Sequence, residues 1–354
     1  MDSLKRPFHA AALLFLGACL FCASATSAKV LLNASGSTFM FPIESVWSRV
    51  YERTDPGVSV NYQPIGSGGG IGQLMQRVTD FAGSDAPLTD DQMAKAPGKI
   101  LHFPAALGAD VVAYNLPEVV PPGRLRLTGP VVADIFRGKI AKWNDPAIAS
   151  LNPSLKLPSG DILPCHRSDG SGTTYIFTDY LSKISPDWEK EIGKGTSVKW
   201  PVGSQANGNQ GVADLVTHTP GAIGYLEQTY ATEAKLPFAQ IRNAEGQWID
   251  PDIKSITLAA NNSMDKLPAD FRGSITNAPG AGAYPISSYT YFLIYAQQPD
   301  GAKAEAIRNF LRWVLHDGQT YSVKLHYAPL PDSVIQREEA QLERIVMPSM
   351  SSAR

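Results

Sequence analysis

The sequence predicts an α/β fold with two domains, and three observations support this prediction. The chain has 354 residues, which exceeds what a single hydrophobic core usually organises. Segments with the alternating pattern of strands are interleaved with segments that have helical spacing, an order typical of parallel sheets covered by helices. No Gly/Ser-rich or Pro-rich linker separates two halves. We therefore expect the chain to cross between the domains on strands that act as a hinge.

The composition excludes several classes of protein. The apolar fraction of 44% and the charged fraction of 18% are ordinary for a globular protein. A net charge of −2 provides no basic field, so we expect no nucleic-acid partner. Outside the first 28 residues Cys165 is the only cysteine, and the histidines do not have the spacing of a zinc site. We predict no disulfide, no metal and no cofactor.

The first 28 residues have the pattern of a secretory signal peptide. Lys5 and Arg6 precede an apolar run over 10–22 that is too short to span a bilayer comfortably, and small residues suited to cleavage follow it. We therefore expect a periplasmic protein. Cys19 ends a segment that resembles a bacterial lipobox, so a membrane-anchored lipoprotein is the alternative. We favour the soluble product because the better cleavage sites lie downstream of Cys19.

The predicted elements alternate from the start of the mature chain. The first are strands over 30–34, 58–65 and 81–84, a helix over 41–53, and a short helix around 71–78 that follows a turn over 66–70. Apolar side chains in the helix over 41–53 recur three and four residues apart, and Pro42 stands in its first turn, where a missing N–H is tolerated. This order of strands and helices predicts a parallel sheet.

The rest of the chain continues the alternation. Its predicted strands cover 111–115, 161–166, 222–226 and 289–297, and its predicted helices cover 173–184 and 304–315. We expect the chain to cross between the domains near 108–110 and near Pro285. This division gives a first lobe of 29–109 plus 285–354 and a second lobe of 110–284, with a ligand cleft between them.

Three turns of similar composition each connect a predicted strand to a predicted helix. They are rich in Gly, Ser and Thr and cover 34–39, 66–70 and 169–174. A helix start presents unpaired N–H groups and a partial positive charge, and glycine lets the backbone approach an anion closely. One such turn is more often purely structural. Three of them at the carboxyl edge of a parallel sheet, where ligands bind, predict a cradle for an oxyanion.

Two charged spots accompany the turns. Arg167 lies two residues before Asp169, so its guanidinium can donate to an oxyanion while Asp169 fixes its orientation; the alternative is a surface ion pair. Asp85 ends the strand over 81–84, and its alternative role is to cap a turn. A carboxylate suits an anion site if the ligand carries a proton for it to accept. Sulfate carries no such proton at neutral pH and would be repelled.

These turns belong to a larger set of segments in which the chain resembles a known family. The family is the PstS-type periplasmic phosphate-binding protein of bacterial high-affinity phosphate ABC importers, and the resemblance extends over essentially the whole mature chain. The segments that carry it are GSTF at 36–39, YQPIGSGGG at 62–70, FAGSDAPL at 81–88, GKIAKWND at 138–145, RSDGSGT at 167–173, VKWPV at 198–202, PGAIGYLE at 220–227 and YAPLPDSV at 327–334.

The resemblance implies a two-lobed periplasmic binding protein fold of type II, in which a hinge joins two mixed, mostly parallel sheets flanked by helices. It implies that the protein captures inorganic phosphate for the membrane permease subunits of an ABC importer and is not an enzyme. We expect it to act as a monomer. The implied phosphate-binding residues are Thr38, Phe39, Ser67 and Asp85 from one lobe and Arg167, Ser171, Gly172 and Thr173 from the other, with Asp169 supporting Arg167. In this arrangement Asp85 accepts the phosphate proton.

Two other functions stay open from the residues alone. One is a secreted phosphate-ester hydrolase with Ser171 as its nucleophile. Against it stand the lack of paired metal ligands and Asp169, which occupies the first glycine position of a G-x-S-x-G turn. The other is a binder of a different oxyanion, such as sulfate or molybdate. Against that function stands Asp85, because a ligand without a proton would leave this carboxylate unpaired.

Overall fold

The computed structural model of the protein describes residues 29–117 and 124–346. The predicted signal peptide and the alternative lipid site at Cys19 lie outside these residues. Of the helices within the described ranges, none is both long enough and apolar enough to cross a membrane.

In chain order the strands are β1 (Val30–Gly36), β2 (Val58–Gln63), β3 (Phe81–Ser84), β4 (Ile100–Tyr114), β5 (Arg126–Leu127), β6 (Leu163–Arg167), β7 (Ser204–Ala206), β8 (Ala222–Glu227), β9 (Gln240–Arg242), β10 (Trp248–Ile249) and β11 (Ser287–Tyr295). Most of them belong to one mixed sheet of eight strands, in the order β2-β1-β3-β11-β4-β8-β6-β7. β1 pairs in parallel with β2 and β3, and β6 pairs in parallel with β7 and β8. β5, β9 and β10 form a second, small sheet.

The long strand β4 is shared by the two halves of the large sheet. Its first part pairs antiparallel with β11, and from Asp110 onward it pairs antiparallel with β8. The sequence predicted a strand only over 111–115, which is too short. Proline cannot donate to a ladder and normally argues against a central strand, yet Pro104 lies in the first part of β4. The structure accommodates Pro104 where the pairing register with β11 shifts, just after Thr290.

Twelve α-helices of the described chain flank these strands. They are α1 (Phe41–Thr54), α2 (Ser67–Met75), α3 (Asp90–Lys95), α4 (Gly129–Phe136), α5 (Pro146–Ala149), α6 (Gly172–Ile184), α7 (Pro186–Glu191), α8 (Gly208–His218), α9 (Gln228–Glu233), α10 (Ile253–Asn261), α11 (Gly301–Leu315) and α12 (Asp332–Leu342). Short 3-10 turns cover Met264–Lys266, Asp317–Tyr321 and Val323–Leu325.

Aromatic packing fixes α1 and α6 on the sheet, and both helices follow one of the predicted turns. Trp47 of α1 is fully buried, with its ring centroid 6.2 Å from that of Phe292 on β11. Phe177 of α6 stacks on Tyr225 of β8 with 4.3 Å between the ring centroids. Burial of these large rings is worth several kcal/mol, and it holds the start of each helix at a set position above the sheet edge.

The second glycine-rich turn is shorter than predicted, because α2 already begins at Ser67. The sequence predicted a turn over 66–70, whereas three glycines of this run lie in the first turn of the helix. Glycine is a poor helix former, but close packing requires glycine both directly before α2 and within its first turn. Gly66 has a φ of +85°, and a Cβ atom on it would lie 2.2 Å from Oδ2 of Asp169. A Cβ atom on Gly70 would lie 2.5 Å from the Cα atom of Gly36.

Candidate functional site

The sequence-predicted residues meet at one edge of the large sheet, where they form two faces in contact. The first face consists of Thr38, Phe39, Ser67 and Asp85, at the ends of β1 and β3 and the start of α2. The second face consists of Arg167, Asp169, Ser171, Gly172 and Thr173, at the end of β6 and the start of α6. Apart from the half-buried Asp169, all of these residues are buried. Seven donor or acceptor side chains and the starts of α2 and α6 are thereby brought together.

Asp85 is the centre of the first face, and hydroxyl groups surround its carboxylate. Ser37 donates to Oδ1 at 2.6 Å and to Oδ2 at 2.7 Å, and Thr290 donates to Oδ1 at 2.7 Å. Ser67 donates to Oδ2 at 3.3 Å. Burial raises the pKa of Asp85 to about 6, although the hydroxyl groups and the nearby Arg167 favour the charged form. At neutral pH this carboxylate is therefore ionised and can accept a further hydrogen bond.

Arg167 is the cation of the second face, and Asp169 holds its guanidinium in place. Nε of Arg167 donates to Oδ1 of Asp169 at 2.7 Å and Nη2 donates to Oδ2, while Nη1 donates to Oγ1 of Thr173 at 3.2 Å. Burial opposes ionisation of Asp169, but Arg167 and the amide of Gly208 outweigh it and lower the pKa of this carboxyl. These contacts use three of the five guanidinium N–H groups, which leaves two for a ligand.

The two faces touch through backbone and side-chain contacts. The amide of Gly68 donates to the carbonyl of Gly170 at 2.8 Å. Asn209 donates from Nδ2 to Oγ1 of Thr38 at 2.9 Å and to Oγ1 of Thr173 at 3.1 Å, so it links the faces. A Cβ atom on Gly172 would lie 2.4 Å from Oδ2 of Asp85. Only glycine permits this approach.

Four residues that support the site were missed from the sequence. Ser37 lies inside the first turn, and its place beside Thr38 could have indicated it. Thr290 comes from β11, 205 residues after Asp85 in the chain. Asn209 lies in the first turn of α8, and Tyr230 of α9 donates its hydroxyl to the carbonyl of Thr38 at 2.7 Å. The last three carry no local motif, so only the fold brings them to the site.

The surroundings of Ser171 do not resemble those of an activated nucleophile. Its Oγ accepts a hydrogen bond from the amide of Thr174 at 3.0 Å and so caps α6. His166, the histidine closest to this turn in sequence, stacks on Trp200 with 4.9 Å between ring centroids, and its Nδ1 lies 3.2 Å from the carbonyl of Arg167. A serine nucleophile needs a base within hydrogen-bond reach. Within the described ranges, no three His, Cys, Asp or Glu side chains come together as a metal site requires.

Comparisons with known proteins agree with this architecture. The family described as PBP superfamily domain matches residues 23–317. The phosphate-binding protein PstS of Xylella fastidiosa (strain Temecula1) is 45% identical over 312 residues, which cover 88% of this chain and 85% of that protein. The protein of the same description from Pasteurella multocida is 41% identical over 318 residues, which cover 89% of this chain and 91% of that protein.

Solved structures share the fold at much lower sequence identity. A phosphate-binding protein from Stenotrophomonas maltophilia has a TM-score of 0.64 and 19% identity, and the alignment covers 88% of this chain and 93% of that one. A periplasmic phosphate-binding protein called PfluDING, solved with phosphate bound, has a TM-score of 0.69 and 18% identity, with the same coverage. The expected fold class, with two lobes of mixed α/β structure, is confirmed. The predicted lobe boundaries remain a prediction.

Proposed function

Because the chain belongs to the PBP superfamily and within it to the PstS family of phosphate-binding proteins, we propose that it captures inorganic phosphate and delivers it to an ABC-type permease. The relatives are named for binding and not for catalysis, and the chain is a binding protein rather than an enzyme. Its further proposed properties are export to the periplasm and action as a monomer. A lipid anchor at Cys19 is the alternative to a soluble product.

The observation that carries this proposal is the opposition of Asp85 and Arg167 across two touching faces. A tetrahedral anion between them meets a guanidinium on one side and an ionised carboxylate on the other. The guanidinium and the helix starts favour negative charge. The carboxylate is unfavourable for any anion, unless that anion can donate a hydrogen bond to it. Phosphate at neutral pH carries one or two protons and meets this requirement.

The proposed contacts assign a separate task to each residue. The amides of Phe39, Gly172 and Thr173 and the hydroxyls of Thr38, Ser67, Ser171 and Thr173 donate to phosphate oxygens. Arg167 donates with the N–H groups that Asp169 leaves available, and Asp85 accepts the phosphate proton. A buried, dehydrated site makes each of these hydrogen bonds stronger than it would be in water.

Sulfate has nearly the same size and shape as phosphate, so the donors do not distinguish the two anions. At Asp85 sulfate meets a buried negative charge to which it can donate nothing. An unmade hydrogen bond to a buried charge, together with repulsion, costs on the order of several kcal/mol. This is enough for at least ~10³-fold discrimination, since each ~1.4 kcal/mol corresponds to a factor of ten.

We further propose that the two faces belong to lobes that close on the ligand. The lobes are 29–109 plus 285–354 and 110–284. The change of partner along β4 at Asp110 supports the first boundary, because one strand then passes from one half of the sheet to the other. A ligand that contacts both lobes favours the closed state by its differential affinity. Closure presents a distinct shape that a permease can recognise.

Isothermal calorimetry of the purified mature protein tests this function. We expect one phosphate bound per chain, sulfate at least ~10³-fold weaker, and a phosphomonoester bound weakly because the two faces already touch where the Gly68 amide donates to the Gly170 carbonyl. A parallel assay should detect no turnover of the phosphomonoester. Absence of phosphate binding, or hydrolysis that Ser171→Ala abolishes, would overturn the proposal.

A further inference from the structure

A second buried carboxyl group lies beside the site and takes no part in the contacts described so far. Asp110 is fully buried on β4, at the position where this strand changes its partner from β11 to β8. Neither of its carboxyl oxygens has a hydrogen-bond partner among the described residues. Buried polar groups are normally paired, and an orphaned one calls for an explanation. The backbone of Asp110 is well paired, since its carbonyl accepts from the Tyr284 hydroxyl at 2.9 Å.

The groups that face Asp110 make its ionisation unfavourable. They are Glu227 and Tyr225 on β8, Asp85 after β3, Arg167 on β6 and Tyr284 before β11. Glu227 is the residue directly opposite Asp110 in the β4–β8 ladder. Burial, followed by repulsion from Asp85 and Glu227, raises the pKa of Asp110 well above its ordinary value, and Arg167 opposes this effect only in part.

A second buried aspartate shows what an ionised carboxylate needs in this fold. Asp179 of α6 accepts from Lys194 at 2.7 Å and from Thr276 at 2.6 Å, and Lys183 lies 2.9 Å away. Although burial opposes ionisation, these groups lower the pKa of Asp179 to about 2. Asp110 has none of these hydrogen-bonded partners. It therefore stays neutral under conditions in which Asp179 is charged.

We propose that Asp110 is an affinity-determining residue of the anion site, because its carboxyl must carry a proton while phosphate is held between Asp85 and Arg167. This inference rests on the proposed phosphate-binding function and adds to it a residue that touches neither the ligand nor Arg167. A proton on Asp110 removes one negative charge from a site that already contains the carboxylate of Asp85. Burial raises the pKa of the neighbouring Glu227 to about 8, so Glu227 adds its charge only at higher pH. Loss of the proton on Asp110 adds a negative charge next to the site, which repels phosphate and lowers the affinity of the site for it.

The sign of the pH effect follows from linkage. Bound phosphate is negative, so it raises the pKa of Asp110 above its value in the unliganded protein. At a pH below the pKa that Asp110 has in the unliganded protein, Asp110 is neutral with and without phosphate, and it has no effect on phosphate affinity. As the pH rises through this pKa, Asp110 ionises in the unliganded protein and must recover a proton when phosphate binds. Phosphate affinity then falls with increasing pH.

The test is the ratio of phosphate dissociation constants for Asp110→Asn and wild type, measured by calorimetry from about pH 6 to about pH 10 at constant salt. Taking the ratio cancels the titration of phosphate itself. We expect equal affinities within about threefold at the acidic end, where the neutral amide replaces a neutral acid. At the alkaline end we expect wild type to bind at least about tenfold more weakly than Asp110→Asn, the equivalent of one pKa unit. The exposed Asp265→Asn is the matched control and should follow wild type throughout.

Asp110→Val is the second variant, because it removes the carboxyl group without introducing a new polar group. Replacing an unpaired buried acid with an apolar residue often stabilises a protein, so we expect this variant to fold and to show the same advantage over wild type at the alkaline end only. A ratio that stays flat over the whole range for both variants overturns the role of Asp110 while phosphate binding stands. Failure of wild type to bind phosphate at neutral pH contradicts instead the proposed function.

Discussion

The two faces of the proposed site have different tasks: the second face attracts an anion, and the first face selects which anion can bind. The second face contains Arg167 and the start of α6, both of which favour negative charge, and Asp169, which holds Arg167 in place. The first face contains a carboxylate, Asp85, surrounded by hydroxyl groups. Any tetrahedral oxyanion would suit the second face, but only one that carries a proton would suit the first. In the proposed site, attraction and selection are therefore separated in space, and we expect that mutation can remove each without removing the other.

The largest effect should come from the selective face. Asp85→Asn removes the charge and supplies an amide that can donate to the ligand. We expect wild type to prefer phosphate over sulfate by at least ~10³-fold and the variant to lose most of that preference while it retains phosphate binding. The measurement is a competition titration of sulfate against labelled phosphate at fixed pH and salt. An unchanged preference would show that Asp85 is structural and that selection arises elsewhere.

A somewhat smaller effect is expected on the attractive face. Arg167→Ala removes a charge-assisted contact of roughly 1.5–3 kcal/mol, which corresponds to about 10- to 150-fold weaker phosphate binding. Sulfate and phosphate should be affected alike, because the guanidinium does not distinguish them. Asp169→Ala removes only the group that orients Arg167 and should weaken binding less. If Arg167→Ala binds phosphate as tightly as wild type, Arg167 contributes only an ion pair to the fold.

The contact between the faces can be tested without changing any charge. A Cβ atom on Gly172 would lie 2.4 Å from Oδ2 of Asp85 and 2.5 Å from Oγ of Ser67, so Gly172→Ala should keep the faces apart. Overpacking costs about 1–3 kcal/mol, or about 5- to 150-fold in affinity. Gly72→Ala is the control, because no atom lies within 4 Å of its Cβ position.

Small-angle scattering provides the second readout of that variant. Wild type and Gly72→Ala should become more compact when phosphate is added, whereas Gly172→Ala should not. Identical scattering of wild type with and without saturating phosphate would count against lobe closure.

The smallest effect concerns the pH at which selection operates. The pKa of Asp85 is raised to about 6, so its carboxyl becomes protonated as the pH falls through that value. A protonated Asp85 no longer repels sulfate and can donate to it. We expect sulfate affinity of wild type to rise about tenfold for each pH unit as the pH falls towards about 6 and to level off below it, and that of Asp85→Asn to stay flat. Parallel pH profiles for the two proteins would assign the effect to another group.

The sequence predicted the local parts of the site and not the parts that come from distant elements. Arg167, Asp169 and the Gly/Ser turn after them form one continuous segment, and Asp85 directly ends a strand, so their residue types and positions were informative. Thr290 and Asn209 carry no such pattern. Thr290 occupies one position in a strand of buried residues, and its hydroxyl has a role only because β11 lies next to β3.

Asp110 was missed for a related reason. In sequence it is one polar residue directly before the predicted strand over 111–115, in the segment 108–110 where we expected the chain to cross between the lobes. The structure extends β4 back to Ile100 and places Asp110 in the middle of a buried strand. Pro104 lies within this extension, although its missing N–H normally excludes proline from a central strand. The position of Asp110 between two half-sheets depends on long-range pairing that no local pattern records.

The most direct test of the central claim is a crystal structure of the protein with phosphate. We expect one phosphate between the two faces, with Oδ atoms of Asp85 and the guanidinium of Arg167 each within about 3 Å of a phosphate oxygen. The amides at the start of α6 should donate to the same anion. A phosphate that contacts only one face, or one that lies away from Asp85, would contradict the division of attraction and selection between the two faces.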